Sequence, residues 1–262
     1  MSTVRVLGVS VAAARTRGQR IYPFMAALFV VTAVAGFGPT SLALLDAVAV
    51  GKRPPLPWIL HVHAVCMGTW LVLLLVQTSL VASRRTALHR TLGLAALAVA
   101  PAVVAAMIGI MWQSWHSIAA LGASAGPDWM QSIAGASNIL LEQIRSAVFF
   151  ALFVGWALVV RRKDPETHKR MMILATLMPL GAAITRIDWL PTTMPGSYVS
   201  QYAYLLLWLA PALIHDMVRR GAVHRAYVIG IGLTVPYAIV SQLLWGSDWW
   251  IATAPRLMGV AG

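Results

Sequence analysis

Charge is scarce in this sequence: of 262 residues only 11% are Asp, Glu, Lys or Arg, while 59% are hydrophobic. Soluble domains carry about 25% charged and roughly 45–50% apolar residues. So little polar surface cannot coat a globule in water, and lipid is the solvent that fits. Cysteine is rarer still. The one present, Cys66, lies inside an apolar run, which excludes an intrachain disulfide and any Cys-rich metal motif. The chain also lacks a nucleophile–base pair, a phosphate-binding glycine loop and a cluster of carboxylates, so hydrolase and kinase chemistry have no support. No internal repeat breaks residues 1–262, which read as one domain.

The formal net charge of +12 raises the question of nucleic acid, and the distribution of the cations answers it. Fifteen of the twenty fall in four short clusters: Arg5/Arg15/Arg17/Arg20, Arg84/Arg85/Arg90, Arg161/Arg162/Lys163/Lys169/Arg170 and Arg219/Arg220/Arg225. Long apolar stretches separate them. That is the positive-inside pattern of cytoplasmic loops, with membrane lipid rather than nucleic acid as the partner. Residues 4–14 carry Arg5 and end in small residues, as a secretory leader does. Their apolar core is short and three arginines follow it, so residues 1–20 are read instead as a cytoplasmic amphipathic tail.

A membrane helix needs about 20 mostly apolar residues. Seven segments qualify, at about 22–50, 56–83, 88–112, 138–160, 169–190, 200–217 and 224–245. The first contains Gly36-Phe37-Gly38-Pro39, where the missing proline N–H predicts a kink or break. The longest connection, 113–137, is rich in Ala, Gly and Ser. The four basic clusters all fall on one side of this arrangement, against only Lys52, Arg53 and Arg256 on the other. The expected fold is therefore all-α, a polytopic bundle of about seven transmembrane helices in a bacterial inner membrane. The N-terminus is cytoplasmic and residues 246–262 form a periplasmic tail. Trp58, Trp112, Trp115, Trp129, Trp189, Trp245, Trp249 and Trp250 all map to the outer boundary, where indole rings collect.

Ionisable groups at membrane depth are costly, and each marks a candidate site. His63, Trp70, Gln77 and Arg84 recur every seven residues and share one face of the second segment, a stripe that must look into the bundle. His61 lies about 200° round from His63. Glu142 and Arg145, three apart, neighbour each other on the fourth segment. His168 and Arg186 are eighteen residues apart, five helical turns, and Asp188 follows. His61, His63, Glu142, Arg145, Arg186 and Asp188 are thus expected in one outer polar cluster. It reads either as a salt-bridge network fixing helix register or as a ligand, proton or metal site, the metal ligands being His61, His63 and Glu142.

On the basic side, His89 opens the third segment and His168 the fifth. Two neutral imidazoles from facing helices are what a b-type haem needs for axial ligation. In an antiparallel bundle of segments two to five, these two helices are diagonal. The plainer reading is a pair of interfacial histidines beside arginines.

Gly36-Phe37 with Pro39-Thr40, His61 and His63, Trp70, Gln77, His89-Arg90-Thr91-Leu92-Gly93 and His168-Lys169-Arg170-Met171-Met172 with Arg186 form a pattern. It resembles that of a group of uncharacterised bacterial multi-pass membrane proteins. More distantly, it is similar to the four-helix core of di-haem membrane cytochromes of the ascorbate-reducible type. The resemblance covers about residues 22–190. The cytochromes carry two histidine pairs; here the fourth segment has no histidine, so only His89 with His168 carries over. A similar start to a helix occurs in small oxidase-assembly proteins. Two function classes follow. One is a membrane redox or cofactor-binding protein, with haem b at His89 and His168 and a quinone or other small molecule as partner. The other is a non-enzymatic component of the membrane, such as a transporter, assembly factor or accessory subunit of a protein complex.

Overall fold

The computed structural model describes residues 20–121 and 127–260, and every element in them is a helix. The expected tail at 1–20, apart from Arg20, and the leader-like stretch at 4–14 lie outside the described residues. Helix α1 (Ile21–Ala49) is followed by α2 (Trp58–Ala82) and a short α3 (Thr86–Leu92), which passes through a 3-10 turn (Gly93–Ala95) into α4 (Ala96–Leu121). Then come α5 (Pro127–Val160), α6 (Pro165–Ile184), α7 (Val199–Arg220), α8 (Arg225–Leu244) and α9 (Asp248–Leu257).

Five stretches are long and apolar enough to cross a membrane: Ile21–Ala49, Trp58–Ala82, Thr86–Ala120, Trp129–Val160 and Arg225–Leu244. The chain is an all-helical membrane protein. The segments expected at 169–190 and 200–217 are helices too, α6 and α7, but charge interrupts their apolar length. Lys169 and Arg170 lie in α6, and Asp216, Arg219 and Arg220 in α7.

Three expectations from the sequence change. Pro39 does not break α1, which runs through it to Ala49. In apolar surroundings a helix that stopped there would orphan several backbone groups, whereas continuing loses one bond. The connection expected at 113–137 is mostly helix, because α4 extends to Leu121 and α5 starts at Pro127, a residue suited to a first helical position. These extensions and the C-terminal residues build a small second core of Met111, Trp115, Ile133, Leu140, Leu141, Trp250 and Ala254. Residues 248–257 are therefore a docked helix. Ser247 caps it by accepting from the Trp250 N–H at 3.3 Å, and the Trp250 indole donates to the Ser137 carbonyl at 2.6 Å. Trp115 and Trp250 are core residues, in contrast to the exposed Trp58, Trp112, Trp189 and Trp249.

Helices α1, α2, α4, α5 and α6 form a ring, each packed on the next and α6 closing back on α1. Helix α7 covers α6 and α1, and α8 covers α6, α5 and α7. Helix α6 is thus enclosed, and 14 of its 20 residues are buried. Beyond Arg170 the helix is almost wholly apolar, and such a stretch belongs in an enclosed position. Across the ring, the Trp70 indole donates to Thr176 Oγ1 at 3.0 Å and meets the Phe150 ring edge-on, 4.9 Å between centroids. With Phe29 and Phe153, both fully buried, they fill the middle of the bundle. Of the α2 stripe, Trp70 faces inward as its spacing predicts; His63 and Gln77 are half-buried, and Arg84 is exposed and lies past the end of α2.

Lipid tails are as apolar as leucine, so close van der Waals packing has to hold these helices together. At Gly36 α1 approaches α6 closely: a Cβ there would stand 2.1 Å from the Ala183 carbonyl oxygen. Gly38, two residues on, has nothing within 4 Å. Gly36→Ala is expected to cost about 1–3 kcal/mol through overpacking. Gly38→Ala should be neutral or slightly stabilising, since alanine is the better helix former. Thermal unfolding of the two variants in detergent checks this, and equal effects would contradict the close approach.

Candidate functional site

The buried polar groups collect at the two ends of α6. At its N-terminus the chain turns from α5 with Asp164 as the helix cap. Asp164 accepts from the Thr167 N–H at 3.0 Å and from the Thr167 hydroxyl at 2.7 Å, and Pro165 takes the first helical position. These bonds from Thr167, with the one from Arg225 at 2.9 Å, hold the Asp164 carboxyl well below the usual carboxylate range. One turn further in, Arg170 is 2% exposed and donates to both oxygens of Asp216 on α7, at 2.8 and 2.5 Å. Its third nitrogen reaches Glu166 Oε2 at 2.6 Å. Asp216 also accepts from the His224 N–H at 3.2 Å, and His224 Nδ1 caps α8 by accepting from Ala226. Lys169 lies over the Tyr22 ring of α1. The starts of α1, α6 and α8 and the end of α7 therefore meet at one end.

The two histidines of the expected pair belong to this end. His168 Nδ1 lies 2.9 Å from the Ala157 carbonyl on α5. A carbonyl only accepts, so Nδ1 carries the ring proton and Nε2 is bare, the form a metal-ligating imidazole takes. His89 is on α3, close enough that a charge on it acts on His168. Gln77 of α2 belongs beside His89: its carboxamide reaches His89 Nδ1, the His89 carbonyl and the Gly93 N–H. So the stripe residue Gln77 serves the basic end, away from the outer cluster. The exposed side chains of Arg84, Arg85, Arg90, Arg161, Arg162 and Lys163 belong to the same connections.

At the other end of α6, Glu142 and Arg145 of α5 form the pair their spacing predicts, Nε to Oε2 at 2.7 Å, with Arg145 2% and Glu142 5% exposed. The remaining Glu142 oxygen accepts from the Ser241 hydroxyl of α8 at 2.9 Å and from the Tyr202 hydroxyl of α7. Arg145 also donates to the Met178 carbonyl of α6 at 3.2 Å, beside Ser146. All four groups are thereby satisfied, and α5, α6, α7 and α8 are tied together.

The rest of the expected outer cluster stays apart. Arg186 is exposed, lies over the Phe37 ring and donates to the Ala182 carbonyl. Asp188 is exposed and forms no ion pair among the described residues. Helix α6 ends at Ile184, so the five-turn spacing that put Arg186 on a common face with His168 does not apply. His61 is exposed, while His63 is half-buried with Nδ1 unpartnered. Among the described residues no three His, Cys, Asp or Glu side chains come together to hold a metal ion, so His61, His63 and Glu142 do not form the expected metal site. Sequence reasoning missed Asp216, Glu166, Tyr202 and Ser241. Only Asp216 carried a signal, as an acid within an otherwise apolar span.

Comparison with protein-family models, curated proteins and solved structures yields no match to this chain.

Glu142→Ala leaves the Arg145 charge buried without a carboxylate partner, and is expected to cost about 3–5 kcal/mol. Asp188→Ala removes an exposed, unpaired acid and should stay within about 0.5 kcal/mol. Unfolding of both variants in detergent measures the contrast, and similar losses would place Asp188 in a network after all.

Proposed function

We propose that this chain is a membrane redox protein that holds one b-type haem at its basic end, with His168 and His89 as the iron ligands. The observation that carries the reading is the His168 ring: the Ala157 carbonyl fixes its orientation and tautomer and leaves Nε2 free. His89 has the right neighbourhood but a different proton arrangement, because the Gln77 amide occupies its Nδ1. When bound, such a haem supplies one-electron transfer. The protein residues orient the rings and surround the site with arginines. A quinone or other small electron carrier is the partner class this implies.

On the same reading α6 and α7 also cross the bilayer. That makes seven crossings in a bacterial inner membrane, with the basic end cytoplasmic and residues 246–262 periplasmic. The likeness to the four-helix core of the di-haem cytochromes supports a haem at this end alone. Trp70 and Phe150 fill the interior at mid-depth, which favours chemistry confined to one side. The Glu142–Arg145 network then serves helix register, since each member is spent on a neighbouring helix.

The second reading, a non-enzymatic assembly or accessory component of a membrane complex, draws on that same full pairing. Among the described residues, the two carboxylates that are nearly inaccessible to solvent, Glu142 and Asp216, are used in packing.

Protein purified from haem-replete cells is expected to show a Soret band that shifts on reduction, lost in His168→Ala and in His89→Ala. A colourless protein that also leaves added hemin unbound would remove the haem reading and leave the accessory role.

A further inference from the structure

Gln77 sits between two main-chain groups whose roles are fixed. The Gly93 N–H can only donate and the His89 carbonyl can only accept. The carboxamide is therefore turned with its oxygen toward Gly93 N at 2.8 Å and its nitrogen toward His89 O at 3.1 Å. That same nitrogen lies 2.5 Å from His89 Nδ1. Nδ1 must then accept, and the proton of the neutral ring is on Nε2. His168 is the opposite case, with its proton on Nδ1 and Nε2 bare. His168 Nε2 has no hydrogen-bond partner among the described residues.

We infer that Gln77 selects the tautomer of His89, so that the two histidines offer one N–H donor and one lone pair instead of two lone pairs. A half-turn of the Gln77 carboxamide would reverse this. Its oxygen would accept from Nδ1–H and the His89 Nε2 lone pair would become free. The turn gives up both the bond from Gly93 and the bond to the His89 carbonyl, and it is compensated only by the new bond from Nδ1–H and by the Gly93 N–H keeping the His89 carbonyl as an acceptor. Resting on the haem reading above, Gln77 is the positioning residue that decides whether His89 is ready to ligate. It holds His89 in the tautomer that cannot ligate until the carboxamide turns. Residues that position a metal ligand through its second nitrogen have this kind of control over affinity.

The test is nitrogen NMR of the full chain in detergent, labelled with 15N-histidine, with His89 assigned by loss of its signals in His89→Gln. Wild-type protein without cofactor should carry the proton on Nε2 of His89 and on Nδ1 of His168. Gln77→Glu offers only acceptors and should move the His89 proton to Nδ1, while Gln77→Leu should give a mixture. Titration with hemin should then show binding to Gln77→Glu about tenfold tighter than to wild type. Finding Nδ1–H on His89 in the wild type would overturn the inference, even if no variant folds. An unmoved proton in Gln77→Glu, or equal hemin affinity, would do the same. If the proton moves as stated but hemin binds to no variant, the haem reading fails and the tautomer selection by Gln77 stands.

Discussion

Arg170 and Asp216 are joined by two parallel hydrogen bonds inside the protein, with side chains 2% and 1% exposed, and the basic end of the molecule depends on that pair. A guanidinium meets a carboxylate in this fork geometry with both strength and direction, which a lysine would not supply. The pair fixes α6 against α7. Through the His224 N–H on Asp216 it also sets where α8 begins, and through Glu166 it draws in Lys169 and the Tyr22 ring of α1. His168 is two residues from Arg170 on the same helix, so the candidate cofactor ligand takes its depth from this contact.

The far end of α6 follows the same logic with other residues. Glu142 and Arg145 lie on α5, and they reach α6 through Met178, α7 through Tyr202 and α8 through Ser241. Between the two polar knots α6 is apolar apart from Thr176. Apolar contact in a bilayer holds helices together but says little about how far one slides along another, because lipid and leucine are equally good neighbours. A buried charge pair does specify that register, since a slip of one turn would leave two charges unpaired. In this protein the helices carry charge at the levels where their relative heights are set.

Several of these features are legible in the sequence. The apolar segments and their all-helical membrane character follow from composition. The inward position of Trp70 on α2 follows from a seven-residue period, and the Glu142–Arg145 contact from a three-residue spacing on one helix. What escaped had partners far apart in sequence or outside the assumed element. Arg170 and Asp216 are 46 residues apart, and no local rule pairs α6 with α7. Tyr202 and Ser241 look like ordinary span residues until Glu142 faces them. A helical count groups Arg186 and Asp188 with the outer cluster, and it fails because α6 stops at Ile184. The stretch at 113–137 looked like a loop because its apolar residues are sparse. They are nonetheless enough, with Trp115, Ile133 and Trp250, to make a second core.

The central claim is that one buried ion pair sets the register of α6, and with it the position of the histidine end. A double-mutant cycle with Arg170→Gln and Asp216→Asn, read by unfolding of the full chain in detergent, tests it most directly. Each single change should cost about 3–5 kcal/mol, because it leaves the other charge buried alone. The double change should then cost at least about 1 kcal/mol less than the sum of the two. Losses that add to within about 0.5 kcal/mol would mean that the two side chains act independently, and the account of how α6 is held would be wrong.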